Sequence, residues 1–447
     1  MTGPHPGDGK AGGVKALSLA TIFAALSGFV VIWVAQWPLD AETQLRYFQA
    51  FWGLFFASAG VIDGITQETT RAVAARTSQA RTSQARTSQA QSAEAGECTA
   101  SRQIAKEDGA ESASPWRFGA VVATVVFTVV LVASFFIMTS VVPPSPSLAT
   151  GLLAFGLVSY VFQAVLSGIL SGANLWGQYA SLVALDSGIR LLLALMAWGF
   201  GWGLEAFMLI TVIGTLSWVV VLVGSSSARA AIGAQLDVAP GPYARRVLQA
   251  MLASGANAAL ITGYPTFLNA AFPQEDPTTT ITIAGVINAV TLTRAPILVP
   301  LQRFQSMLVV KFVEAGRGIY RALAKPVAAV LGLGVLGFAA AWLVGPWILK
   351  IAFKPELFVN GLTLGLLTFA SALTGSLMIT GTAVLALEQH GWYVAGWLTA
   401  SAVAYLILFF APLGLLPAVI VSLMAGPMAG AVVHLLGLGR ARRIARC

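Results

Sequence analysis

The chain is 447 residues long, 57% hydrophobic and only 10% charged, with a net charge of +8. A soluble domain carries about a quarter charged residues, so this composition excludes a soluble globular protein and leaves little length for a soluble catalytic lobe. The basic excess sits in loops between apolar stretches, which argues for membrane topology and against nucleic acid as a partner.

A polar, Gly-rich tail at 1–13 precedes twelve apolar segments, near 14–36, 44–66, 117–139, 148–171, 175–199, 203–224, 247–271, 279–302, 326–347, 360–387, 391–412 and 414–437. About 20 apolar residues span a bilayer as a helix. The expected fold is therefore an all-α integral membrane protein of about twelve transmembrane helices. The first segment shows no small-residue cleavage site and reads as a retained helix, not a signal peptide. Six spans make an N-terminal lobe at 14–224 and six a C-terminal lobe at 247–437, joined by a linker at 225–246 and followed by a basic tail at 438–447. Six spans return the chain to its starting side. The second lobe then repeats the first about an axis along the membrane normal, with a site between the lobes near the midplane.

If every span crosses once, 21 of the 26 Lys and Arg residues fall on one side. Basic loops stay in the cytoplasm, so both termini are expected there and the protein in the cytoplasmic (inner) membrane. Arg46, Lys350 and Lys354 fall on the other side, with the acids Asp40, Glu42, Glu275, Asp276 and Glu356. Those outer loops are short and have no room for a catalytic lobe. Cys98 and Cys447 both fall on the reducing side, so no disulfide is expected. The loop at 67–116 holds Arg-Thr-Ser-Gln-Ala three times over 76–90. It reads as a repeat expansion in a tolerant loop, or as a basic segment for anionic lipid headgroups.

Charges inside spans cost ~2.5–3.5 kcal/mol each on insertion scales, so they face a cavity or a partner. Asp186 and Arg190 lie one turn apart in the fifth span. Asp186 is about 16 Å from the basic-loop end at 1.5 Å per residue, close to the midplane. They form either a self-neutralising pair that locks helices or a cavity pair for an anionic substrate or a proton. Arg294, in the eighth span beside Pro296 and Pro300, is a candidate phosphate contact, because its fork of donors matches phosphate oxygens. Structural pairing is the alternative. Asp63, Glu68 and Arg71 end the second span, where Glu68 and Arg71 can pair at i,i+3. They read as a helix-end cluster or as a gate or coupling group. Asn257, Tyr264, Thr266 and Asn269 in the seventh span, and Ser371, Thr374, Ser376 and Thr380 in the tenth, either pack helices or line a sugar-accepting cavity. Glu205, Glu388 and His390 read as interface and turn residues. Three His without metal-ligand spacing give no metal site. No phosphate-binding Gly-x-x-x-x-Gly-Lys-Ser/Thr loop or nucleophile elbow is present, so no ATPase, cofactor or hydrolase chemistry is expected.

Four features carry a family resemblance: Gly64 to Arg71 after the second span, Val165 to Asn174 followed by Tyr179 to Arg190, Leu292 to Pro296, and the twelve-span plan. The chain resembles the polysaccharide-export (oligosaccharidyl-lipid) flippases of the multidrug/oligosaccharidyl-lipid/polysaccharide exporter superfamily. That resemblance implies alternating access between two six-helix lobes around a cavity for a polyprenyl-linked saccharide. It departs at the first span, Ala16 to Gln36, which carries no cation, whereas lipid-linked sugar flippases of the superfamily often have one there.

The expected function is a transporter, not an enzyme: a flippase for a lipid-linked saccharide of the cell envelope. Its partners are this substrate, the membrane, and a polysaccharide polymerase or glycosyltransferases. Arg294, Arg190, Asp186, Asn257 and Tyr264 are the candidate substrate-binding residues, and Asp63, Glu68 and Arg71 the gate or coupling residues. The alternatives are a multidrug exporter of the same superfamily, and a membrane glycosyltransferase or non-catalytic scaffold of an envelope complex.

Overall fold

In a computed structural model of the protein, residues 6–93, 113–274, 280–315, 318–387 and 389–444 are described. Cys98, Cys447, Glu275, Asp276 and Glu388 lie outside them. Lipid offers no hydrogen bonds to the backbone, so spanning segments must satisfy their own amides, as helices do. The first half contains α1 (Pro6–Ala35), α2 (Arg46–Ala93), α3 (Pro115–Val141), α4 (Pro146–Gly172), α5 (Trp176–Phe200), α6 (Leu204–Ile213), α7 (Ser217–Gly224) and the short α8 (Ser226–Ala231). A 3-10 turn, Gly214–Leu216, joins α6 to α7. The second half contains α9 (Pro240–Ile261), α10 (Tyr264–Ala271), α11 (Ile283–Ala315), α12 (Ile319–Ala352), α13 (Gly361–Ala386), α14 (His390–Phe410) and α15 (Leu415–Ile444).

Local signals set several boundaries. Ser114 caps α3 ahead of Pro115, which suits a first turn because its missing N–H has no acceptor there. Asn360 accepts from the Thr363 amide at the start of α13. Gly201 closes α5 at φ +66, a left-handed backbone that a side chain disfavours. Asp40 accepts from the Thr43 hydroxyl and from the Thr43 and Glu42 amides at the π-turn that leads into α2. These donors hold its carboxyl below the usual carboxylate range. A lowered folded-state pKa stabilises above the unfolded pKa and is lost as pH falls through the folded one. Asp40→Ala should therefore cost about 1 kcal/mol at neutral pH, with the gap to wild type closing in acid. Thermal unfolding of the two proteins across pH measures this.

Ten helices are long and apolar enough to cross a membrane among the described residues. They make this a multi-pass membrane protein. The two remaining expected spans, at 247–271 and 279–302, fall on α9–α10 and α11. The first is broken after Ile261, and α11 offers the shorter apolar stretch Ile283–Leu298, with Arg294 inside it. The repeat at 76–90, expected within a loop, instead continues α2 as helix.

The halves share a burial pattern. Their fourth spans, α4 and α13, are the most buried of the ten. Their third spans, α3 and α12, lie at the periphery and pack along α4 and α13 respectively. α1 packs along α5, and α14 along α15.

α9 belongs to the second half by sequence, yet packs along α2 of the first half as well as on α14. Glycines permit this close approach. A Cβ at Gly60 would meet Ala258, one at Gly64 the backbone of Ala250 and Met251, and one at Gly255 the Val61 side chain. Without side chains at these positions the two backbones come together, the small-residue packing that membrane helices favour.

Candidate functional site

A cavity of about 1800 Å³ lies between the halves, lined mainly by α1, α2, α4, α5, α9, α11 and α14, with Pro265 of α10 and Leu385 of α13. Glu68, Arg71, Arg246 and His390 stand at its mouth, on the face that carries the basic loops. There Arg71 donates to Glu68 (2.7 Å) and to Asp237 (3.1 Å), and Arg246 lies 3.9 Å from Glu68. The expected Glu68–Arg71 spacing thus forms a pair, and Asp237 extends it to the linker between the halves.

The opposite face is closed by bonds between the halves. At the ends of α1 and α12, Trp33 Nε1 donates to the Ala352 carbonyl (2.8 Å), and the Lys354 amide to Gln36 Oε1 (3.1 Å). At the start of α2, Arg46 donates from Nε to Asn269 Oδ1 (2.8 Å) and from Nη2 to the Phe272 carbonyl (2.7 Å). Asn269 Nδ2 donates in turn to the Val141 carbonyl (3.2 Å), and Thr266 Oγ1 to that of Ala50 (2.6 Å). The charge sorting places Arg46 correctly on this face, but its burial between the halves was not legible.

The first-half wall carries a buried ion pair. Arg190 Nη1 lies 2.6 Å from Asp186 Oδ2, and Arg190 Nε donates to the Thr211 carbonyl (2.8 Å). That carbonyl lies just before the 3-10 turn, where bonding tightens from i−4 to i−3. Gly214 in this turn leaves room for the pair, since a Cβ there would meet both Asp186 Oδ1 and Arg190 Nε. The guanidinium also lies 5.1 Å from the Phe56 ring centroid. Asp63 accepts from the Tyr160 hydroxyl (2.8 Å) on the same wall.

The second-half wall is built around the break in the seventh span. Arg294 Nη1 donates to the Ile261 carbonyl (2.7 Å), with the guanidinium 5.2 Å from the Tyr264 ring centroid. Tyr264 is fully buried behind it, 2.7 Å from Ser422 Oγ, and does not line the cavity. Asn257 lines the cavity, and its Oδ1 has no hydrogen-bond partner among the described residues. The same holds for Arg190 Nη2, Arg294 Nη2 and Asp186 Oδ1, all buried. The structure thus brings Asp63, Glu68, Arg71, Asp186, Arg190, Asn257 and Arg294 to one cavity. Gln49, Tyr160, Gln163 and Thr291 also line it and were not singled out from the sequence. A Gln in an apolar span is the signal that would have found two of them. The tenth-span hydroxyls bond their own helix: Ser371, Thr374 and Ser376 each donate to the carbonyl four residues back and Thr380 to that three back. They pack helices and lie away from the cavity.

No family model matches the chain. It is 33% identical over 439 residues to the uncharacterized protein Rv3630 of Mycobacterium tuberculosis, covering 98% of this chain and 95% of that one. Uncharacterized protein Mb3654 of Mycobacterium bovis matches to the same extent. Uncharacterized protein Rv1510 of M. tuberculosis is 32% identical over 429 residues, covering 96% of this chain and 92% of that one. Among solved structures, an inward-facing multidrug resistance MATE family transporter of the MOP superfamily superposes with a TM-score of 0.67 at 16% identity, over 97% of this chain and 99% of that one. Its outward-facing conformation gives 0.63, over 97% and 96%. A MOP superfamily transporter from Pyrococcus furiosus, described as having a binding pocket of reversed polarity, gives 0.59 at 16% identity, over 96% and 95%. The chain therefore belongs to one family with these mycobacterial proteins, and its fold is the MATE-like fold of the MOP superfamily.

Proposed function

We propose that the protein is a MOP-superfamily transporter that flips a polyprenyl-linked saccharide, a cell-envelope precursor, across the cytoplasmic membrane by alternating access. The observation that carries this reading is the pair of buried arginines on opposite walls of one large cavity. Arg190 and Arg294 each keep a guanidinium nitrogen with no acceptor among the described residues, and a diphosphate supplies acceptors in the geometry that guanidinium favours. Unpaired buried donors carry a free-energy cost, which such a headgroup relieves. The cavity volume accommodates a saccharide, and Asn257 and Gln163 offer it amide groups.

The basic face is cytoplasmic on this reading, so the cavity mouth faces the compartment where glycosyltransferases would assemble the substrate. Glu68, Arg71 and Asp237 border that mouth, and Asp63 with Tyr160 is the candidate coupling group. Arg294→Ala should abolish export while leaving the protein in the membrane. Deletion-strain complementation with an immunoblot of the membrane fraction tests this, and full complementation by the variant would overturn the assignment.

One observation favours a second reading. Asp63 and Asp186 both line the cavity, and a multidrug exporter needs acids for cationic drugs. A susceptibility panel on the deletion strain separates the two: sensitivity to lipophilic cations with intact envelope precursors favours drug export.

A further inference from the structure

Arg294 does not point freely into the cavity; it holds a carbonyl that the sequence leaves without a donor. In a continuous helix the N–H of residue 265 would bond the Ile261 carbonyl. Residue 265 is Pro and has no N–H. The neighbouring carbonyl of Ala259 is in the same position, because the Gly263 amide turns to Ala258. The hydroxyl of Tyr405, on α14, takes Ala259, and Arg294, on α11, takes Ile261. A cation is well placed there, at the negative end of the α9 dipole.

The piece beyond the break is α10, eight residues and about 12 Å long. Its Thr266 bonds the Ala50 carbonyl, and its Asn269 bonds both Arg46 and the Val141 carbonyl. These are bonds that close the face opposite the cavity mouth. One short helix therefore has the break that Arg294 holds at one end and the closure between the halves at the other.

We propose that Arg294 is a positioning switch. With the cavity empty it pins the break through Ile261; an anionic headgroup takes its guanidinium, frees the break, and releases α10 together with the closure it carries. The exchange trades a neutral carbonyl acceptor for a charged phosphate oxygen, the stronger partner for a guanidinium. The trigger rests on the anion-binding reading above, whereas the mechanical link between Arg294 and the closed face does not.

The test uses the full chain with Cys98 and Cys447 replaced by Ser, in lipid nanodiscs, spin-labelled at Ser147→Cys and Leu413→Cys. Both positions are exposed on the closed face, one in each half. Electron–electron distance measurement reads the separation, with and without undecaprenyl diphosphate, and lipid binding is measured in parallel. The lipid should add a longer-distance population to the parent protein. Arg294→Gln should show that population without lipid. Pro265→Ala supplies the missing N–H to Ile261, so it should bind the lipid yet stay at the short distance. A Pro265→Ala protein that responds like the parent, or an Arg294→Gln protein as closed as the parent, overturns the switch. If the parent does not bind the lipid, the substrate reading falls, and the lipid-free Arg294→Gln distance still decides the mechanical link.

Discussion

Arg190→Ala should cost the fold about 3–5 kcal/mol, because it strands the Asp186 carboxylate in a buried site. Arg190 is 4% exposed, and the Asp186 side chain is 14% exposed. The guanidinium also supplies the donor for the Thr211 carbonyl at the 3-10 turn. Removing both charges with Asp186→Leu and Arg190→Met should restore most of the loss, since apolar replacement of a buried pair is often neutral. Equilibrium unfolding in mixed micelles measures all three proteins. An Arg190→Ala protein as stable as wild type would show that the pair is not buried in the cavity wall.

Gly64→Ala should destabilise by about 3 kcal/mol, at the upper end of overpacking penalties. The added Cβ meets the main chain of Ala250 and Met251, which cannot rotate aside as a side chain can. Gly151 in α4 is the control, with nothing within 4 Å of its Cβ position. Gly151→Ala should gain up to about 1 kcal/mol from helix propensity alone. Opposite signs for two Gly→Ala changes in membrane helices isolate the α2–α9 seam from propensity. Equal effects in the same unfolding assay would refute the seam.

Long apolar segments and charge sorting make the membrane class, ten of the spans and the basic face legible in the sequence. The i,i+4 spacing of Asp186 and Arg190 and the i,i+3 spacing of Glu68 and Arg71 likewise announced their pairs, because these are contacts within one helix. The rest depends on contacts that no local spacing encodes. Tyr160 reaches Asp63 across 97 residues, and Arg46 reaches Asn269 across 223. The break in the seventh span was readable from Gly263-Tyr264-Pro265, yet hydropathy runs straight through it, so the segment passed as one span. Arg294 was recognised as a buried cation, but its acceptor is a main-chain carbonyl freed by a proline 29 positions earlier.

The unusual length of α2 gives the repeat a geometric meaning. Its 48 residues extend for about 72 Å, against a hydrocarbon core of about 30 Å. The membrane-crossing part ends by Thr77, and the remainder projects beyond it as a rod rooted in the helix that forms the seam. A small tilt of the first half would thus sweep the rod's tip through an arc several times larger than the motion at the cavity. Each Arg-Thr-Ser-Gln-Ala unit lengthens the rod by about 7.5 Å and turns its end by about 140°, from the rise and pitch of the α-helix. Gain or loss of one unit would therefore re-aim the tip while leaving every membrane contact in register.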